Sequence, residues 1–429
     1  MKVYDFVIIG GGLTGLSAAY YLSKANKKVL ILEKNPEVGG LLSSWSIGNH
    51  YLEKYYHHVS LSDKFFVGML NDLGMDKKLL WKKASIGYYY DGKIFPMNTP
   101  LDMLRFKGFN FTDLIRLVSV ILKVKLKDDY SDLDRIPAKE WILENAGDGV
   151  YRNFFEPLLK SKFGSDMDKI SAAWLFGRIK FRSNRSLEGE TLGYMRNGFH
   201  KFTEKLADLI RGKGGDIMTN SEVVGIEQTR VKTRDDVFSA KSVISTIPPK
   251  NLSQIAEFGQ GLHEKLERIS HQDIICVTMC LKSKLLDNIY WLNIKSDDIP
   301  FGAIIEHTNF HNIPQYDGEK ILYLAHYSNH ETDPLWVKSD EEIAEMFMDF
   351  IGREFPSFNK ESVIRYKIAR DLNSGPLYEV GYLENINSIP LKSDNIYITG
   401  MFRSYPERSM NESLKLGYDV AKRCLNESG

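Results

Sequence analysis

The chain has little cysteine, no net charge and no long apolar run. Cys276, Cys280 and Cys424 are the three cysteines of 429 residues. They form no disulfide framework, and a reducing cytoplasm is the expected compartment. Lysine plus arginine and aspartate plus glutamate both number 56, which argues against a general nucleic-acid binder, where a basic excess or patch is usual. No stretch approaches the roughly 18 apolar residues of a membrane span. The first strand pattern begins almost at once, which is not the pattern of a signal peptide. Hydrophobic and charged contents of 43% and 26% are ordinary for a globular enzyme, and the length predicts two domains.

What is present is concentrated in the first forty residues. Val3 to Ile9 is a short, mostly apolar run, followed by Gly10-Gly11-Gly12-Leu13-Thr14-Gly15, the stretch LSAAYYLSKAN and a second apolar run, Val29 to Leu32, that ends on Glu33. This reads as strand, glycine turn, helix and strand. Gly10 turns the chain sharply, Gly12 lets a pyrophosphate approach the backbone, and Gly15 lets the helix pack on the sheet. The helix N-terminus offers free N–H groups and partial positive charge to phosphates. Glu33, 18 residues after Gly15, is placed to accept hydrogen bonds from ribose hydroxyls. Together these predict a dinucleotide site.

After Glu33 come Lys34-Asn35-Pro36-Glu37-Val38-Gly39-Gly40-Leu41. This run resembles the extended fingerprint of the FAD-dependent amine oxidase and protoporphyrinogen oxidase-like superfamily, in which arginine often follows the Gly-Gly pair where Leu41 stands here. The resemblance implies FAD as cofactor, with Gly10, Gly12, Leu13, Thr14, Gly15, Glu33, Lys34, Gly39, Gly40 and Leu41 at its binding site. It extends to Val223, whose backbone would lie on the adenine side, and to the run Gly400-Met401-Phe402-Arg403-Ser404-Tyr405-Pro406 that leads into a last helix. There Gly400 would lie near the ribityl phosphate, and Met410 and Asn411 at the flavin carbonyl. The segment from Phe155 to Gly164 resembles one that leads into the substrate-side helices. Lys54-Tyr55-Tyr56-His57-His58 resembles a stretch of UDP-galactopyranose mutases that places a histidine, here His58, beside the flavin.

Between these motifs the patterns alternate. A helix is expected from Phe65 to Leu73, and a hairpin around Asp91-Gly92. The apolar and basic stretch from Thr112 to Lys127 is read as a helix. It has two open interpretations: a core-facing helix with a solvated lysine face, or a weak peripheral contact with a membrane surface. Residues 136–182 read as mostly helical. A return to the nucleotide unit follows, with a helix whose apolar face holds Phe199, Phe202, Leu206 and Leu209 and strands at Asp216–Met218, Val223–Glu227 and Ala240–Ile247. Strand patterns then continue, with a helix from Ser339 to Glu354. The expected fold is α/β: a discontinuous Rossmann-like FAD-binding domain (1–75, 193–250 and 365–429) and an interleaved α+β substrate domain (76–192 and 251–364).

The expected activity is that of an FAD-dependent oxidoreductase, in which a small-molecule substrate gives a hydride to flavin N5 and an unknown electron acceptor reoxidises the flavin. The alternative is a mutase-like isomerase of a sugar nucleotide, without net redox change. A flavin-holding scaffold without turnover is the third class. His58, Arg403 and Tyr405 are the catalytic candidates. His307 with His311, and His326 with His330, have metal-like spacing, but their surroundings read as strand and loop, so no metal site is assigned. Glu306 and His307 are instead candidates for lining the substrate pocket.

Overall fold

A computed structural model describes residues 3–47, 50–183, 189–296, 298–406 and 408–427. The chain opens with β1 (Val3–Ile9), α1 (Leu13–Lys24) and β2 (Val29–Leu32). It continues through α2 (Lys64–Asp72), β3 (Ile86–Tyr90), α3 (Pro100–Leu104) and α4 (Phe111–Leu126). Then come β4 (Val237–Ser245), β5 (His271–Leu281), β6 (Trp291–Ile294), β7 (Lys320–Ser328), β8 (Val363–Pro376) and, last, α5 (Met410–Glu427).

Among the described residues, eight strands form the first sheet, with β1 at its centre. β1 runs parallel to β2 on one side and to β4 on the other. Such a strand is covered on both faces, which is why VYDFVII and VLIL are apolar runs rather than alternating ones. Val7, Ile8, Leu30 and Ile31 are fully buried, each contributing roughly 1.5–3 kcal/mol of apolar burial. α1 packs between this sheet and α5. Its small residues permit close approach: Ser17 Oγ donates to Leu414 O at 2.7 Å, and a Cβ on Gly417 would lie 2.3 Å from Thr14 O.

Among the described residues the second sheet has seven strands, in the order β8, β5, β7, Ala303–Glu306, β6, β3, Lys93–Pro96. It is antiparallel except where β6 runs beside β3. The hairpin from β3 to Lys93–Pro96 turns through Asp91 and Gly92, both at positive φ (52° and 69°), as a primed two-residue turn requires. Helices Ala138–Ala146, Glu156–Phe163 and Ala172–Ser183 pack with α4 on one shared core.

Several expectations shift. The strand expected at Ala240–Ile247 starts earlier, at Val237, and stops at Ser245, before Pro248-Pro249. On the helix His200–Gly212, Ile210 rather than Leu209 is fully buried. His307–Phe310 is a helical turn and not strand or loop. The border expected at residue 365 falls inside β8, which pairs with β5 along almost its whole length.

Candidate active site

One cavity of about 600 Å³ runs from the glycine turn into the space between the two sheets. Its first wall is the end of β1. Gly10 has φ +101°, and a Cβ there would lie 2.6 Å from Thr246 Oγ1, so only glycine makes this turn. Gly12 is the N-cap of α1, and no side chain caps that helix end. A Cβ on Gly12 would meet no atom within 4 Å, so the space over the helix N-terminus belongs to the cavity. The glycine turn is pinned from behind. Glu33 accepts hydrogen bonds from Gly11 N (2.7 Å) and Asn35 N (2.9 Å) while lining the cavity. Gly39 N donates to Gly11 O at 2.8 Å, and the Gly40 Cβ position lies 3.2 Å from Gly12 Cα. Uncapped N–H groups, open space above them and a fixed carboxylate beside them fit a dinucleotide.

Of the sequence-derived cofactor residues, Gly10, Gly12, Leu13, Thr14, Glu33, Lys34, Gly39, Gly40, Leu41, Val223 and Met410 line the cavity. Gly15 lies beneath it: a Cβ there would come within 2.0 Å of Gly10 O. Two placements differ from expectation. Gly400, at φ +135°, is not itself a lining residue: a Cβ there would lie 2.7 Å from Thr246 O, and Thr246 and Met401 form the wall beside it. The Asn411 side chain turns to α2, where Oδ1 accepts from Phe65 N (2.9 Å) and Phe66 N (3.0 Å), so it satisfies free donors at that helix start.

The far end of the cavity is aromatic and histidine-rich. Tyr56 OH and Tyr327 OH share a hydrogen bond of 2.8 Å, and the Tyr56 ring meets Trp291 edge-on at 4.9 Å. His58 lines this end, its Nδ1 3.3 Å from Tyr290 OH. His57 and His271 are also lining residues. Each places Nδ1 on a backbone carbonyl, Tyr55 O at 2.7 Å and Ile269 O at 3.2 Å, which makes Nδ1 the donor and leaves Nε2 as an acceptor. Burial above all, with the Arg408 guanidinium acting the same way, holds both imidazoles down to about 4, so both are neutral at pH 7. Arg408 lies over the Tyr327 ring at 5.3 Å and passes so close to Gly375 that a Cβ there would lie 1.5 Å from its Nη1. Lys162 and Arg178 complete a cationic set, with Glu190 and Asn293 also on the wall.

Arg403 and Tyr405 do not belong to this wall, and the expectation that they face a substrate is corrected. Arg403 reaches back under its loop. Nε donates to Ile398 O (2.9 Å), Nη1 to Ile386 O (3.3 Å) and Nη2 to Ile389 O (3.1 Å) and Pro390 O (2.9 Å). Burial pushes its pKa down to about 10. Tyr405 packs against Tyr378 and Tyr382 at 5.6 and 6.0 Å. We expect Arg403→Ala to lower stability by roughly 2–4 kcal/mol, read from the urea midpoint, because four carbonyls lose their donor. The flavin spectrum of the folded variant is expected to match wild type, and an altered spectrum would return Arg403 to the site.

Glu306 and His307 are likewise not pocket residues. Glu306 is fully buried, with Leu286 N donating to Oε2 at 2.6 Å, and His307 Nε2 is 3.0 Å from Tyr316 OH. His326 and His330 pair with different carboxylates, Asp333 and Asp273. Among the described residues no helix is long and apolar enough to cross a membrane.

The geometry of the turn and cavity agrees with comparison to known proteins. The coproporphyrinogen III oxidase of Bacillus subtilis (strain 168) is 28% identical over 307 residues, 62% of this chain and 63% of that protein. The curated relatives matched are spanned over 50–64% of their own length in the first five cases. Reduced UDP-galactopyranose mutase superposes with a TM-score of 0.75 at 17% identity, covering 99% of this chain and 96% of that one. Cyclohexylamine oxidase from Brevibacterium oxydans IH-35A gives 0.74 at 15% identity, covering 99% of each. Both structures share the fold. The model of the flavin containing amine oxidoreductase family matches residues 13–425. With a glycine turn, an uncapped helix and a fixed acid all opening on one cavity, the chain belongs to the flavin-containing amine oxidoreductase family, and its cofactor is FAD.

Proposed function

We propose that this protein is an FAD-dependent oxidoreductase that takes a hydride from a small organic substrate carrying a negatively charged group. The observation that supports this reading is the cationic, histidine-lined end of the same cavity that begins at the glycine turn. FAD, when bound there, supplies the hydride acceptor, and a separate electron acceptor closes the cycle. Gly10, Gly12, Leu13 and Thr14 would hold the pyrophosphate, and Glu33 the adenosine ribose.

The other residues bind and orient substrate. Arg408, Lys162 and Arg178 would anchor its anion. The neutral Nε2 atoms of His57 and His271 would accept hydrogen bonds from a substrate O–H or N–H and take up its proton as the hydride leaves. Tyr56, Trp291 and Tyr327 would exclude water and press the substrate into place. His58 is the residue that favours a second reading, isomerisation of a sugar nucleotide.

The test is an anaerobic screen of the flavin-loaded protein against paired amines and carboxylates or phosphates, following loss of flavin absorbance near about 450 nm. Reduction by an anionic substrate is expected. Arg408→Gln should raise KM for it about tenfold or more, with FAD still bound. Reduction by cationic amines alone overturns the anionic assignment. If no candidate reduces the flavin, while the pre-reduced protein converts UDP-galactopyranose to the furanose without consuming reductant, the isomerase reading replaces this one.

A further inference from the structure

Two readings of α4 were open, a core-facing helix with a solvated lysine face and a weak peripheral membrane contact. Its outer side carries exposed cations and, beside them, an apolar stripe. Leu117, Val120 and Val124 are buried in the core shared with the helices Ala138–Ala146 and Ala172–Ser183. On the opposite side Phe111 is 78% exposed, Ile115, Val118 and Leu122 are 52–55% exposed, and Leu126 is 85% exposed. Spacings of four, three, four and four residues align these five side chains in one stripe. Leu101 and Leu104 on α3 are also exposed, so seven of the nineteen large apolar side chains exposed among the described residues lie between positions 101 and 126. A cluster on this scale marks an interaction surface.

Charge says what kind. The chain as a whole is neutral, yet residues 100–127 hold six lysines and arginines and two aspartates. Both aspartates are consumed by helix starts. Asp102 accepts from Asn98 N and Thr99 N, and Asp113 from Asn110 N, each in a capping box. Neither aspartate is exposed, whereas Arg105, Lys107, Arg116, Lys123 and Lys125 are. Apolar side chains in a row, flanked by the cations of 105–125 and followed by exposed acids only past the helix end, beginning with Asp128 (paired with Lys180) and Asp129, complement an anionic lipid surface.

We propose that the α3–α4 face docks the protein peripherally on a bilayer containing anionic lipid, with the apolar stripe in the headgroup–acyl boundary and the cations against the headgroups. The face also backs onto the cavity. Phe106, between the two helices, packs on Tyr88 of β3 at 5.4 Å, and Ile86 of the same strand lines the cavity.

The experiment is vesicle flotation of the flavin-loaded protein. Wild type should float with vesicles of about 30 mol% phosphatidylglycerol at least about tenfold more than with pure phosphatidylcholine. The triple variant Phe111→Ser/Leu122→Ser/Leu126→Ser alters only exposed side chains. It should lose about tenfold of this recovery while keeping its flavin spectrum and far-UV circular dichroism. Failure of wild type to float, or equal flotation of the variant, overturns the proposal. So does a solution dimer that the triple variant dissociates, since the stripe would then be a protein interface.

Discussion

Gly12→Ala is expected to fold normally and to bind FAD about tenfold to a hundredfold more weakly. The two halves of this outcome have separate causes. The Cβ position of Gly12 is open and its backbone is ordinary (φ −71°, ψ −178°), so the added methyl strains nothing in the protein. It stands in the space over the uncapped N–H groups of α1, where a pyrophosphate must approach the backbone. Overfilling a close-packed contact by one methyl costs about 1–3 kcal/mol. Gly15→Ala is the opposite case. Its methyl would lie 2.0 Å from Gly10 O, backbone against backbone, and should cost more than about 3 kcal/mol of stability before any cofactor is added. Isothermal titration of FAD and thermal melts of the apo forms separate the two. An apo melting point that falls as far for Gly12→Ala as for Gly15→Ala would show that the loop is a structural turn and not a cradle.

Glu306→Gln is expected to change stability in a way that depends on pH. The Glu306 carboxyl is fully buried, and burial pushes its pKa up to about 7 from an ordinary 4.5. Between those values the folded protein holds more protons than the unfolded chain, so the wild type loses stability as pH rises through this window. The glutamine does not titrate. Relative to wild type, the variant should therefore gain about 2.5 kcal/mol between pH 5 and pH 8, whatever the offset at any single pH. Urea unfolding at both pH values measures this, and a constant difference would mean that the carboxylate is solvated or paired in the native state.

The nucleotide end was legible in the sequence because its parts are local. β1, the glycine turn, α1, β2 and Glu33 lie within about thirty residues, and each residue type has one mechanical reason to be there. Asp91-Gly92 and the helix from Ser339 to Glu354 were readable for the same reason, and that helix opens on a capping box of Ser339 with Glu342. The histidine-lined far end of the cavity was not, because it is assembled from His57, Lys162, Arg178, His271, Tyr327 and Arg408, which no local period connects. Arg408 depends on the missing side chain of Gly375, a relation visible only after β8 is in place. Arg403 and Tyr405 were misplaced because the direction of a loop side chain depends on where partners arrive, here the carbonyls around Ile386–Pro390 and the rings of Tyr378 and Tyr382. Helix α4 could be read as a helix but not oriented, since large apolar residues lie on its outer side among the cations as well as on its buried side.

The packing of α1 on α5 has a consequence for how the protein is made. Ser17 and Leu414, joined by a hydrogen bond, are 397 positions apart. At about 5–20 residues per second, a ribosome that has released α1 needs on the order of 20–80 seconds to deliver its partner. Throughout that interval the glycine turn lacks the helix that packs over Thr14, and its apolar strands lack much of their cover. The chain must therefore wait, shielded or kept from aggregating, until α5 has been synthesised, and the flavin can be captured firmly only then.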